Sequence, residues 1–240
     1  MSTIRVYCDF DGTVARKDVG KELFSHFAGS GADTIARQYL DDAITARECL
    51  LAEANLVANC SPAQLGAFVD QFAVDEYFSR FKDFCFDHDI PLVILSDGLD
   101  FYVERILNRS GLGDCTFFAN HLEFIDSDGV TKLKIVFPYT DSECQFCGNC
   151  KRNHMLTQSG DDDIIVYVGD GISDRCPVGY ADIVFAKKEL LRYCQRQNIT
   201  YFEYANFRDV QQRLEMLLAK KRLRKRREAT MARRDVFMQG

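Results

Sequence analysis

Asp9 and Asp11 lie two residues apart at the end of a short apolar run, Ile4-Arg5-Val6-Tyr7, and Gly12-Thr13 follow at once. On an extended backbone that spacing turns both carboxylates to the same side. Gly12 then lets the chain turn sharply away. Two acids so placed suit phosphoryl transfer. One attacks phosphorus and carries it as an aspartyl phosphate, while the other donates and later accepts a proton. A hard cation beside them would offset their charge. An Asp-x-Asp-Gly stretch could equally be a solvated turn, so the remaining motifs must decide.

Two further acidic or hydroxylated motifs close apolar runs in the same way. Leu95-Ser96-Asp97-Gly98 ends one of them; a serine hydroxyl and the following N–H groups at a helix start can hold a phosphate oxygen, although serine there is often only a helix cap. Val168-Gly169-Asp170-Gly171-Ile172-Ser173-Asp174 ends another. Flanking glycines let Asp170 approach a neighbouring strand end, and Asp174 follows one turn later. Asp9, Asp11, Asp170 and Asp174 together are costly unless a cation neutralises them. All-oxygen ligation favours Mg²⁺. Lys151 precedes that run and opens a helix-like segment; near the carboxylates it would offset repulsion and bind phosphate. Lys132 and Lys134 compete for that role.

The elements that must position these residues alternate. Strands are expected at 4–8, 92–95, 164–168 and 183–185, each followed by a turn and a helical pattern. That alternation implies a doubly wound α/β fold with a mainly parallel sheet, whose ligands bind outside the carboxyl ends of the strands. The motifs all fall at those ends. Residues 19–28, 31–41, 43–59, 62–73 and 76–88 read as helices, with Phe24, Phe27, Phe68, Phe72, Phe81 and Phe84 at helical spacing as core. A helical insertion straight after a catalytic strand reads as a cap. The expected division is a core of 1–14 and 83–218, a cap of 15–82 and a basic tail of 219–240. A hairpin is expected over 121–137, and a final helix from near Asn206 with Val210, Leu214, Leu217 and Leu218 on one face.

The 240 residues are 47% hydrophobic and 28% charged, values of a globular protein. No run of 18 or more apolar residues suggests a transmembrane segment. The N-terminus lacks a signal-peptide layout, so a cytoplasmic location is expected, where the ten cysteines stay reduced. Between residues 220 and 234 nine Lys and Arg face only Glu228, a charge of +8 within a chain total of −6. The body should repel nucleic acid; the tail could touch RNA or an anionic membrane, or be a solvated extension.

Asp9-Phe10-Asp11-Gly12-Thr13, Ser96, Lys151 and Gly169-Asp170-Gly171-Ile172-Ser173-Asp174 resemble, in order, the four motifs of haloacid dehalogenase (HAD) superfamily phosphatases. The helical cap between the first two resembles the phosphoserine-phosphatase-like subgroup. Cys144-x-x-Cys147-x-x-Cys150-Lys151 and Asp174-Arg175-Cys176-Pro177 are similar to phosphoethanolamine/phosphocholine phosphatases and to the methionine-salvage phosphatase family. The resemblance implies a Mg²⁺-dependent hydrolase of a small phosphorylated metabolite. Asp9 would be the nucleophile and Asp11 the acid and base. Mg²⁺ would sit on the Asp9 carboxylate, the Asp11 carbonyl and Asp170, with Asp174 in support. Ser96, the Asp97 N–H and Lys151 would hold the phosphoryl oxygens. Ser173 stands where phosphoserine phosphatases often have Asn. An acid at the position of Asp18 faces substrate in related enzymes, which makes Asp18 the selectivity candidate for a cationic or hydroxylated leaving group; Arg16 and Lys17 would suit an anionic one.

Cys144, Cys147, Cys150 and His154 could form a structural Zn²⁺ site. An iron–sulfur cluster would need Cys176 or another ligand, and free thiols are the plain alternative. Rival functions are a phosphotransferase or mutase of the same superfamily, and a non-catalytic module tethered to RNA or membrane by the tail.

Overall fold

The structure, a computed structural model, describes residues 3–127, 129–141, 146–220 and 223–239. In chain order the elements are β1 (Ile4–Asp9), α1 (Val19–Ala28), α2 (Ser30–Leu40), α3 (Ala46–Leu56), α4 (Pro62–Val69), α5 (Phe78–Asp87), β2 (Leu92–Leu99), α6 (Asp100–Arg109), β3 (Thr116–Ser127), β4 (Val130–Val136), α7 (Lys151–Gln158), β5 (Ile164–Gly169), β6 (Ile183–Ala186), α8 (Lys188–Arg196), β7 (Phe202–Glu203), α9 (Phe207–Leu218) and α10 (Arg227–Gln239). The chain divides into two compact units: Met1–Val14 with Asp75–Leu95 and Lys151–Gly240, and Ala15–Val74 with Ser96–Cys150.

The first unit holds a parallel sheet in the order β2-β1-β5-β6-β7. Its central strands are continuous apolar runs, with every residue of β5 and β6 buried, as strands covered on both faces require. After β1 the sheet grows to one side through β2 and then to the other through β5, β6 and β7. The switch lies at β1 and β5, where ligands collect beyond the carboxyl ends. Asp9 closes β1 and Asp170 follows β5. Phe78, Phe81 and Phe207 pack ring against ring between α5 and α9.

The second unit carries four helices after the first strand, then α6 and the antiparallel β3–β4 pair. Thr45 caps α3 in a reciprocal box with Glu48, and Ser61 caps α4 with Gln64. These caps set the starts, so the helix expected from 43 begins at Ala46 and ends at Leu56. Phe24 and Phe72 are buried, while Phe68 stacks on His26 and Phe27 meets the same ring edge to face. β3 begins at Thr116, earlier than the hairpin expected from 121. β2 continues through Ser96-Asp97-Gly98 to Leu99, so the serine lies within a strand and α6 starts only at Asp100.

The basic C-terminal stretch is not a loose extension. Arg226 donates to the carbonyls of Val178 and Gly179 at 2.5 and 2.8 Å. Arg233 donates to the Tyr180 carbonyl and to Asp182 Oδ1, and Ala229 is buried. Asp182, whose side chain has no exposure, also accepts the N–H groups of Ile165 and Arg226. Asp182→Ala would leave Arg233 without its counter-ion and the Ile165 N–H unpaired. A loss of about 3 kcal/mol of stability is expected, read as a lowered denaturation midpoint; an unchanged midpoint would contradict it. Among the described residues no helix is long and apolar enough to cross a membrane.

Candidate active site

Asp9 is buried at 4% exposure, and its Cα partner across the sheet is Leu95, the residue before Ser96. The chain then turns through Phe10–Val14. Gly12 has φ +73°, and a Cβ there would stand 2.3 Å from Asp170 Oδ2. The position needs glycine both for its backbone and for the approach of the second acid. At Gly169 a Cβ would meet Asp174 Oδ2 at 2.4 Å. Asp174 folds back there and accepts the N–H groups of Asp170 and Gly171 at 2.9 and 3.0 Å.

Carboxylate oxygens of Asp9, Asp170 and Asp174 lie within 4.8 Å of one another, all three residues buried. Lys151, 2% exposed, spends its ammonium on Asp9 Oδ1 at 2.5 Å, Asp174 Oδ1 at 2.7 Å and Ser173 Oγ at 3.0 Å. Burial, then Asp174, pushes the Asp9 carboxyl well above the carboxylate range, against the pull of Lys151. Lys151 itself is held well above the lysine range, because Asp174 and Asp9 outweigh the burial that would lower it. Asp170 is raised by burial and Asp174, with Lys188 opposing through a 2.7 Å ion pair.

Several contributors escaped the sequence reading. Tyr167 donates to Asp174 Oδ1 at 2.5 Å. Tyr204, also buried, reaches Thr13 Oγ1 at 3.4 Å and the Gly169 carbonyl at 3.2 Å. Lys187 places its ammonium 4.6 Å from the centre of the Tyr204 ring. Lysines after β6 carry no motif, and a strand tyrosine reads as core. Only the fold shows their partners.

The donor set fits a hard divalent cation. The clustered ligands are all carboxylate oxygens, with no nitrogen or sulfur among them. Asp9, Asp170 and Asp174 carry three formal negative charges against the ammoniums of Lys151 and Lys188, and Asp11 adds its own field at Asp9. Such a surplus on oxygen ligands is what Mg²⁺ or Ca²⁺ binds. The zinc expectation fares otherwise. Cys144 lies outside the described residues, and among the described residues Cys147, Cys150 and His154 form no ligand cluster. The Cys147 carbonyl accepts from Arg47, and burial pushes His154 down to about 4.

In the second unit Ser96 is fully buried, its Oγ accepting the Gly98 N–H at 3.0 Å. Asn149, another residue the sequence did not flag, donates its side-chain amide to the Ser96 and Phe118 carbonyls. Its backbone N–H reaches Asp97 Oδ1 at 2.6 Å. Ser96-Asp97 is thus tied to a residue two positions before Lys151 in the chain. Lys132 is exposed and Lys134 pairs with Glu123 at 2.8 Å. Asp18 caps α1 by accepting the Lys21 N–H at 2.9 Å, a role that Asp at such a position commonly fills.

The acid that sequence reasoning missed in this unit is Glu53. It is buried, beside Asp18 and hydrogen-bonded to Cys49. Burial, then Asp18, pushes its carboxyl up to about 7. The folded state therefore holds a proton that the unfolded state releases near 4.5. Stability contributed here is full below the unfolded value and is lost as pH rises through about 7. Glu53→Gln should remove that slope and raise stability at pH 8 by about 3 kcal/mol relative to wild type. Denaturant titrations of both proteins at acid and alkaline pH measure it, and parallel pH profiles would contradict it.

A family model for haloacid dehalogenase-like hydrolases matches residues 6–176. A 2-hydroxy-3-keto-5-methylthiopentenyl-1-phosphate phosphatase of Bacillus pumilus is 29% identical over 219 residues, covering 88% of this chain and 91% of the relative. Its counterpart in Lysinibacillus sphaericus is 27% identical, covering 85% and 90%. A phosphoserine phosphatase solved as a phospho-aspartyl intermediate analogue superimposes with a TM-score of 0.64 at 16% identity, over 89% of this chain and 99% of that one. A phosphoserine phosphatase from T. onnurineus gives 0.65 at 16%, over 90% and 95%. At such identity these two structures speak to the fold alone.

Proposed function

The chain belongs to the haloacid dehalogenase-like hydrolase family, and from that premise we propose that it hydrolyses a small phosphomonoester with Mg²⁺ through a phosphorylated Asp9. The observation that carries this reading is the Asp9 carboxylate, pinned by Lys151 beside Asp170 and Asp174 at the end of β1.

In this reading Asp9 attacks phosphorus as the bond to the leaving oxygen breaks, and Asp11 gives its proton to that oxygen. Asp11, now a carboxylate, takes a proton from water as the water attacks the acyl phosphate. The P–O bond to Asp9 breaks and inorganic phosphate leaves. Lys151 fixes the orientation of Asp9, and Asp174 fixes Lys151. Mg²⁺ held by Asp9, the Asp11 carbonyl and Asp170, with Asp174 in support, would supply charge that keeps Asp9 ionised despite its burial. Ser96, the Asp97 N–H and Lys151 are the phosphate-binding residues of this reading.

Selectivity falls to the stretch 15–82, taken as the cap. Asp18 and Glu53 stand together there, and two acids favour a cationic or hydroxylated leaving group over an anionic one. The compound for which those relatives are named, 2-hydroxy-3-keto-5-methylthiopentenyl-1-phosphate, fits the hydroxylated class and heads the panel, with phosphoethanolamine, phosphocholine and phosphoserine. The test is phosphate release from that panel with Mg²⁺ and with chelator, wild type beside Asp9→Asn. Turnover that needs both the metal and Asp9 supports the proposal. A phosphorylated acceptor without free phosphate would make the protein a transferase, and no turnover of any compound would sink it.

A further inference from the structure

Three lysines surround the carboxylates of the first unit, and two of them are committed. Lys151 has three N–H donors, and Asp9, Ser173 and Asp174 take all three. Lys188 is paired with Asp170 at 2.7 Å. Lys187 is different. Among the described residues its ammonium has no hydrogen-bond acceptor; it rests on the face of Tyr204, 4.6 Å from the ring centre. It nonetheless lies in the field of Asp170, Asp75 and Asp9, and burial holds it below the ordinary lysine range.

The platform is itself registered to the site. The Tyr204 hydroxyl reaches Thr13 in the turn after β1 and the carbonyl of Gly169 at the end of β5. A ring fixed to both loops places Lys187 relative to Asp9 and Asp170 together. An aromatic face attracts an ammonium but accepts none of its N–H groups with the strength of an oxygen anion. A half-buried ammonium with unfilled donors, seated on a ring that is bonded to the loops after β1 and β5, gains most from the oxygens of a phosphoryl group bound there. Lys151 bridges two buried carboxylates and Lys188 is paired with Asp170; among the described residues Lys187 is the ammonium of the three that has no carboxylate partner.

We propose that Lys187, seated on Tyr204, is a second cationic contact for the phosphoryl group and for the phosphate product. This rests on the reading that phosphate occupies the site at Asp9. The experiment is calorimetric binding of inorganic phosphate to the Mn²⁺-loaded protein, for wild type, Lys187→Met and Lys187→Arg, with Mn²⁺ affinity measured separately for each. Lys187→Met should weaken phosphate binding about tenfold or more, Lys187→Arg should recover most of it, and Mn²⁺ affinity should stay level or rise because a nearby positive charge is gone. Phosphate affinity unchanged in Lys187→Met overturns the proposal. So does a loss matched by an equal loss of Mn²⁺ affinity, which would make Lys187 a support of the metal site. Wild type that binds Mn²⁺ but no phosphate would instead remove the underlying reading of the site. Should Lys187→Met unfold, Lys187→Arg alone still decides: arginine rests on Tyr204 equally well, and its phosphate affinity should stay within a few-fold of wild type, whereas a collapse of that affinity in a folded protein with intact Mn²⁺ binding overturns the proposal.

Discussion

Asp9→Asn should abolish phosphate release, by a factor on the order of 10⁴ or more. The substitution keeps the shape of the side chain and removes its negative charge and its nucleophilic oxygen. An amide cannot form the acyl phosphate, so no slower version of the same route remains. The environment sharpens the effect. The amide must place either its oxygen or its NH₂ toward the Lys151 ammonium, and the NH₂ choice puts donor against donor. One acid fewer among Asp9, Asp170 and Asp174 also relieves like-charge repulsion, so the protein should stay folded and bind Mn²⁺ less tightly. Phosphate release, thermal midpoint and Mn²⁺ affinity separate these effects. Activity within tenfold of wild type in the folded variant would assign the chemistry to another residue.

The features legible in the sequence are those contained in one strand and its turn. Asp9-x-Asp11-Gly12 and Gly169-Asp170 through Asp174 each fit within seven residues, and the apolar runs before them can only be buried strands. Glycine at 12 was readable as a turn. Its second reason, the approach of Asp170 Oδ2, comes from a residue far along the chain and leaves no local trace. The same holds for Lys187 and Lys188, whose partners Tyr204 and Asp170 are set by where β6 ends in the sheet. Asn149 bonds residues more than fifty positions away, and an asparagine before a helix reads as a turn. β7 has two residues, too few to show a period. The basic tail misleads because charge patterning counts counter-ions and not carbonyl acceptors. Arg226 and Arg233 find several of the latter at Val178, Gly179 and Tyr180.

Lys151→Met is the more demanding prediction, because it couples chemistry to stability. Methionine matches the length of the stem and fills the buried volume, so packing changes little. What goes is the ammonium between Asp9 and Asp174, which are both buried. Breaking a buried pair by removing one partner costs about 3–5 kcal/mol. Asp174 keeps the Tyr167 hydroxyl and the N–H groups of Asp170 and Gly171; among the described residues Asp9 keeps no such set. Protonation of Asp9 is therefore the available relief, and its carboxyl, already raised by burial and Asp174, should rise further. A raised carboxyl binds a proton in the folded state that the unfolded state has released, so stability falls as pH rises. The gap in unfolding free energy between Lys151→Met and wild type should be narrow near pH 5 and wide near pH 8. Added Mg²⁺ should restore part of the stability by supplying the missing positive charge. Activity should stay down by about 10³-fold, since neither the orientation of Asp9 nor the phosphoryl contact returns with the metal. A gap that does not vary with pH would mean that Lys151 stabilises the fold by packing alone, and rescue of activity by Mg²⁺ would mean that its charge, and not its geometry, serves the reaction.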